Sequence, residues 1–183
     1  MHAITAANLR NAYGGESMAH MRYKVWGDVA EKEGFANIAR LFRAISAAET
    51  VHAAHHFQEL KNEAGDSLCA SMAVFGIGGT SQNLQGGING ETFEINEMYP
   101  TFLETAKFQG EKGAQLSFHY ALSAEKTHAA LFQKAKQAVD TNKKDADLGA
   151  IHICNVCGWT SEGNLPDRCP VCGATKDKFQ TFS

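Results

Sequence analysis

The chain has 183 residues, 44% hydrophobic and 20% charged, with a formal net charge of −3. That balance suits a globular chain of one medium domain plus a small one, and the lack of a basic block argues against a phosphate-backbone binder. No 18-residue apolar stretch is present, and Met1–Thr5 carries no basic leader, so no membrane span and a cytoplasmic, reducing setting are expected. Four helices are predicted, near residues 4–33, 35–62, 82–110 and 112–140. Gly34 breaks the first pair and Gly110 to Gly113 the second. The long connection 63–81 contains Gly65, Gly76, Gly78 and Gly79 and must cross the end or side of a bundle. The domains read as 1–140, a polar linker 141–150, and a cysteine-rich unit 151–183.

The two helical hairpins resemble each other, which fixes the architecture as a repeat. Glu16 and Glu91 are 75 residues apart, whereas Glu49 and Glu125, and His52 and His128, are both 76 apart. The second copy thus holds one extra residue between its motif sites. An insertion inside a helix is absorbed as a π-bulge, predicted in the third helix near Glu94 to Tyr99.

The apolar stripes lead to carboxylates. The first helix runs Leu9, Ala12, Tyr13, Glu16, Ala19, Tyr23. The second runs Ile38, Leu41, Phe42, Ile45 and lands on Glu49 and His52. The third runs Leu84, Ile88, Glu91, then Glu94 and Met98. The fourth runs Phe118, Ala121, Leu122 and lands on Glu125 and His128. Buried carboxylates cost several kcal/mol each unless paired, and no buried Lys or Arg pattern supplies the positive charge. Two divalent cations would. One Glu from each of two helices, with Glu-x-x-His from each of the other two, is the ligand pattern of di-iron and di-manganese bundles. Repeat symmetry does not demand Glu94, because Ala19 stands at its equivalent offset. Tyr23 and Tyr99 read either as donors to the ligand carboxylates or as core aromatics.

Cys154-x-x-Cys157-Gly158 and Cys169-x-x-Cys172-Gly173 form two knuckles whose spacing specifies one tetrahedral four-thiolate site. Zinc and iron both accept four thiolates. Such a short segment cannot build much core, so the metal must hold it together, helped by Trp159 and Phe179. Cys69 has no partner by spacing and reads as a buried small side chain.

These motifs, with Gly15-Glu16-Ser17 and Gly90-Glu91-x-x-Glu94-x-x-Glu97-Met98-Tyr99-Pro100, resemble the rubrerythrin family along essentially the whole chain. The resemblance implies a mostly α fold: a ferritin-like four-helix bundle followed by a small rubredoxin-like iron-binding domain. It implies two irons in the bundle and one on Cys154, Cys157, Cys169 and Cys172. Glu49 and Glu125 would bridge the pair. Glu16 would be terminal on one iron, and Glu91 with His128 on the other. Glu94 and His52 would exchange on the first iron as the redox state changes. The implied activity is reduction of hydrogen peroxide, with electrons from NAD(P)H through a separate reductase, in a homodimer whose hairpins are swapped in some members. Iron storage is the competing reading for the bundle, and the attached cysteine unit opposes it. His20 stands where relatives often carry Arg, and His55 and His56 extend the second motif without an assigned role.

Overall fold

The computed structural model describes all residues from Met1 to Ser183. Five α-helices come first: α1 (Ala3–Lys32), α2 (Ala36–Glu59), α3 (Thr80–Phe93), α4 (Tyr99–Phe108) and α5 (Lys112–Asn142). A three-stranded antiparallel sheet follows, of β1 (Ile151–Cys154), β2 (Thr160–Glu162) and β3 (Phe179–Phe182), in the order β2-β1-β3. No helix is long and apolar enough to cross a membrane.

The predicted third helix is two helices joined by a π-helical turn, Glu94–Met98, where the inserted residue was expected. The wider turn absorbs the extra residue without breaking the rod. It also restores the repeat register, so that Tyr99 stands 76 residues after Tyr23. The hairpin breaks fall where glycine is needed: Gly34 and Gly110 take φ of +87° and +71°, a left-handed conformation costly for other residues.

The four helical rods bury two apolar layers on either side of the carboxylates. One gathers Tyr23, Trp26, Phe42, Leu84 and Phe132; the other gathers Leu9, Tyr99, Phe118 and Ala121. Tyr13 departs from the predicted stripe: it is 37% exposed and stacks on Phe57. The connection after α2 runs beside α1, where the Cys69 thiol donates to Arg10 O at 2.9 Å and Trp26 Nε1 donates to Gly76 O at 3.0 Å. Cys69 is therefore exposed on this strap and not the buried filler expected, because the strap lies on the bundle surface.

The segment before the sheet is likewise tied down. Asp145 accepts from the first free amides of α2, Asn37 N at 2.7 Å and Ile38 N at 3.2 Å, a cap supplied from another part of the chain. Arg40 donates to Leu148 O at 2.7 Å, and Ala146 and Leu148 are buried. The sheet is consequently packed on α2, with Ile151 and Ile153 of β1 in the same apolar cluster as Ile38 and Ile45.

Candidate metal centres

Glu16, Glu49, His52, Glu91, Glu125 and His128 converge in the middle of the bundle, and none is more than 1% exposed. Their ligand atoms form two groups, each within 4.8 Å: Glu16, Glu49, His52 and Glu125, and Glu49, Glu91, Glu125 and His128. Glu49 and Glu125 belong to both. The i, i+3 spacing on α2 and α5 sets each Glu beside its His: His52 Nδ1 is 2.9 Å from Glu49 Oε2, and His128 Nδ1 is 2.6 Å from Glu125 Oε2. Glu94 is in neither group. It lies half-buried in the π-helical turn, beside a cavity of about 270 Å³ whose lining also includes Arg22, Asn89 and Phe93.

The unsatisfied atoms test whether cations fit. Buried polar groups are normally hydrogen-bonded, and an orphan costs about 1–3 kcal/mol or more if charged. Here Glu16 Oε2, Glu49 Oε1 and Glu91 Oε2 are buried without a hydrogen-bond partner, and the two oxygens of Glu125 face only the Nδ1 atoms of His52 and His128, at 3.0 and 2.6 Å. The other oxygens of the two outer carboxylates are taken: Tyr99 donates to Glu16 Oε1, and Tyr23 donates to Glu91 Oε1 at 2.6 Å. Each outer Glu thus has one oxygen held by a tyrosine and one free for a cation. Both tyrosines are donors to the carboxylates as well as core aromatics.

Electrostatics agrees. Burial, then the charges of Glu125 and Glu49, hold the carboxyls of Glu16 and Glu91 above their ordinary range, Glu91 at about 8. His52 and His128 are raised by the same carboxylates against the opposing effect of burial. Without cations the cluster therefore holds protons that the unfolded chain releases. A raised carboxyl stabilises the fold below its unfolded value near 4.5, and that contribution is lost as pH rises through about 8. The helical signal of chelator-stripped protein should melt at a lower temperature at pH 8 than at pH 5. Iron-loaded protein should not show that loss, because cations replace the protons.

The second centre lies in the sheet domain. Cys154 and Cys172 sulfurs are 3.6 Å apart and those of Cys157 and Cys169 3.5 Å, close to the tetrahedral edge of about 3.8 Å expected for metal–sulfur bonds near 2.3 Å. The knuckles match: Gly158 N donates to Cys154 O at 2.8 Å and Gly173 N to Cys169 O at 2.9 Å, with φ of +79° and +76°. Without a cation the thiols cannot all ionise together: Cys154 is lowered to about 5, chiefly by a hydrogen bond from Cys157, which is itself pushed up. Trp159 and Phe179 meet edge to face beside the cluster, as expected.

The two centres touch within one chain. A methyl built on Gly158 would overlap the His52 ring. Thr160 Oγ1 donates to Gly158 O at 3.1 Å, so the 2.8 Å contact with His128 Nε2 is a bond that the imidazole donates. That keeps a proton on Nε2 and makes Nδ1, which faces the carboxylates, the nitrogen that would bind a cation, the arrangement a ligand histidine needs. His55 adds a contact at 2.5 Å between its Nε2 and Val156 O, inside the first knuckle. Sequence reasoning had flagged His55 without a role and missed Gly158 and Thr160 as contacts, since nothing local says which surface a knuckle meets. His20 is held by Ser46, its Nδ1 2.8 Å from Ser46 O, outside both ligand groups.

A ferritin-like bundle with a dinuclear carboxylate–histidine site, carrying a four-thiolate domain, defines the class. A family profile described as Rubrerythrin matches residues 7–136, and one described as Rubrerythrin, rubredoxin-like domain matches 152–180. The chain belongs to the rubrerythrin family, a family of di-iron proteins with a rubredoxin-like domain. It is 53% identical to Rubrerythrin-2 of Clostridium acetobutylicum, over 99% of this chain and 98% of that one. It is similar to the structure of fully reduced, all-ferrous nigerythrin, with a TM-score of 0.85 and 31% identity over 97% of this chain and 86% of the other. A bacterioferritin of Rhodobacter capsulatus, at 20% identity and a TM-score of 0.68 over 76% of this chain and 88% of that one, shares the bundle fold.

Proposed function

We propose that this chain reduces hydrogen peroxide to water at the dinuclear site of the bundle, drawing its electrons through the four-thiolate iron. The observation that carries the reading is the seating of the sheet domain on the site, Gly158 against His52 and Thr160 on His128. A storage bundle has no use for an electron donor held there. Glu16, Glu49, His52, Glu91, Glu125 and His128 would hold the iron pair, and Cys154, Cys157, Cys169 and Cys172 the single iron. Bound there, the iron pair supplies Lewis acidity and the two electrons that cleave the O–O bond.

The chain's own groups supply the rest. Reduction of peroxide to two waters consumes two protons as well as two electrons. Glu94 is raised well above the ordinary carboxylate range by burial, then by Glu16 and Glu125, which favours its protonated form as a proton source. It stands between the Glu16 side of the site and the cavity beneath Met72 to Val74, a path for a small neutral oxidant and for protons. The position of Glu94 outside the ligand groups, with His52 inside, suits one arrangement of the exchange implied by the family resemblance. On the second knuckle Pro170 is exposed and Cys172 half-buried, an accessible edge for a reductase carrying electrons from NAD(P)H. The strap exposes Leu68, Met72, Phe75 and Ile77, and this apolar set supports association with a second copy of the chain.

Anaerobic mixing of the fully reduced protein with peroxide tests the reading. The iron pair should oxidise much faster with peroxide than with dioxygen. Equal or slower oxidation by peroxide would remove peroxide as the substrate.

A further inference from the structure

The two outer carboxylates are held by tyrosines in different ways. Tyr99, which donates to Glu16, also lies 3.0 Å from His56 Nε2, and His56 Nδ1 lies 2.7 Å from Ser117 Oγ. His56 and Ser117 are buried, and the His56 ring packs on Phe118 at 5.5 Å. Offset by 76 residues, the repeat equivalent of His56 is Phe132 and that of Ser117 is Leu41. Phe132 packs edge-on against Tyr23 at 5.1 Å, and although the Arg22 guanidinium lies over the Tyr23 ring at 5.3 Å, the Tyr23 hydroxyl makes no hydrogen bond besides the one to Glu91. One half of the site has an apolar backing, and the other has two polar residues in its place.

The directions of these bonds follow from donor inventory. A carboxylate on a cation only accepts, so the Tyr99 proton points to Glu16. The Tyr99 oxygen must then accept from His56, whose proton sits on Nε2. With Nε2 donating to Tyr99, Nδ1 is the ring nitrogen left to accept, and Ser117 Oγ lies 2.7 Å from it. Ser117 fills it, and its hydroxyl makes no other bond, including to its own helix. The chain of donors runs one way: Ser117 to His56 to Tyr99 to Glu16.

We propose that His56 and Ser117 are positioning residues that make the two halves of the dinuclear site inequivalent, by strengthening the hydrogen bond from Tyr99 to Glu16 alone. A phenol that accepts one bond donates a stronger one, because each bond polarises the next. Glu16 then gives less charge to its cation than Glu91 gives to the other, which favours the ferrous state on the Glu16 side. The chain ends at a buried serine, so it holds and polarises; it does not bring protons from solvent.

The proposal rests on Glu16 being a ligand. Glu16→Gln should bind one ion in the bundle where the parent binds two, which checks that point separately. Ring-tuned proton–nitrogen NMR of the full chain loaded with zinc in place of iron should show His56 protonated at Nε2 and bare at Nδ1. The opposite tautomer overturns the proposal. In the iron-loaded protein, a redox titration followed by electron paramagnetic resonance measures how far the mixed-valent state is favoured. His56→Leu should lower that constant about threefold, or about 28 mV at the 59 mV per tenfold of a one-electron couple. His56→Gln, whose amide can donate to Tyr99 and accept from Ser117, should retain it. An unchanged constant in His56→Leu, or equal losses in both variants, overturns the proposal. Neither measurement involves peroxide, so the substrate reading can fail without affecting this result.

Discussion

Glu125→Gln should leave the bundle unable to hold either ion. Glu125 contributes to both groups of ligand atoms, and its two buried oxygens face only the Nδ1 atoms of His52 and His128. The amide keeps the shape but removes the charge and one acceptor oxygen from each group. Iron measured by mass spectrometry should fall from three per chain to one, the survivor being on the cysteines. Peroxide-driven oxidation in the bundle should fall by at least about 10²-fold, since even residues that only orient ligands cost 10- to 100-fold. Removing the charge of Glu125 relieves Glu16 and Glu91 but takes a carboxylate partner from His52 and His128, so circular dichroism is the control for folding. Helical content by circular dichroism should be unchanged. Glu16→Gln, which touches only one group, should lose one ion. Retention of both ions by Glu125→Gln would refute the shared-ligand assignment.

Cys169→Ser should separate the two halves of the proposed reaction. Cys169 is 2% exposed, and its backbone anchors the second knuckle through Ala174 and Gly173. With three thiolates the site loses its iron, and the small domain loses most of what holds it, because metal affinity is folding energy in so short a unit. NAD(P)H-linked peroxide reduction with an added reductase should fall to the background of the reductase alone. A single turnover of bundle iron reduced chemically beforehand should persist. Loss of both would mean that the four-thiolate site supports the bundle's chemistry directly and not as an electron donor. Gly158→Ala gives a milder version with both metal sites filled. Its φ of +79° makes any side chain cost about 1–2 kcal/mol, and the added methyl collides with His52. Electron transfer between the sites should slow while both spectra remain.

Much of this was legible in the chain. The repeat offsets of 75 and 76 residues located the π-helical turn at Glu94–Met98, because a helix has one economical way to absorb a single extra residue. The stripes through Leu41 and Phe118 delivered Glu49 and Glu125 to the interior, since a period of 3.6 determines which side chains share a face. Cys69 went the other way. Its burial depended on where a long irregular strap would lie, and no periodicity governs that. Residues 141–150 read as a solvated linker from their polarity, yet Asp145 caps α2 and Leu148 is buried. Polar composition does not distinguish a free segment from one whose polar groups have found partners.

The sequence by itself determined the ligand chemistry: four helical faces each carrying a carboxylate, two with histidine one turn on, and two cysteine knuckles. Local spacing is enough for that, because ligand sets are made within single turns and loops. Tertiary structure alone decided what those sites adjoin. The knuckle of Gly158 lies on His52 of the same chain, Thr160 sets the proton of His128, and His56 with Ser117 stands behind Tyr99. Each contact joins residues 32 or more positions apart that no local rule relates, through the packing of the sheet on α2 and α5 and of α2 on α5.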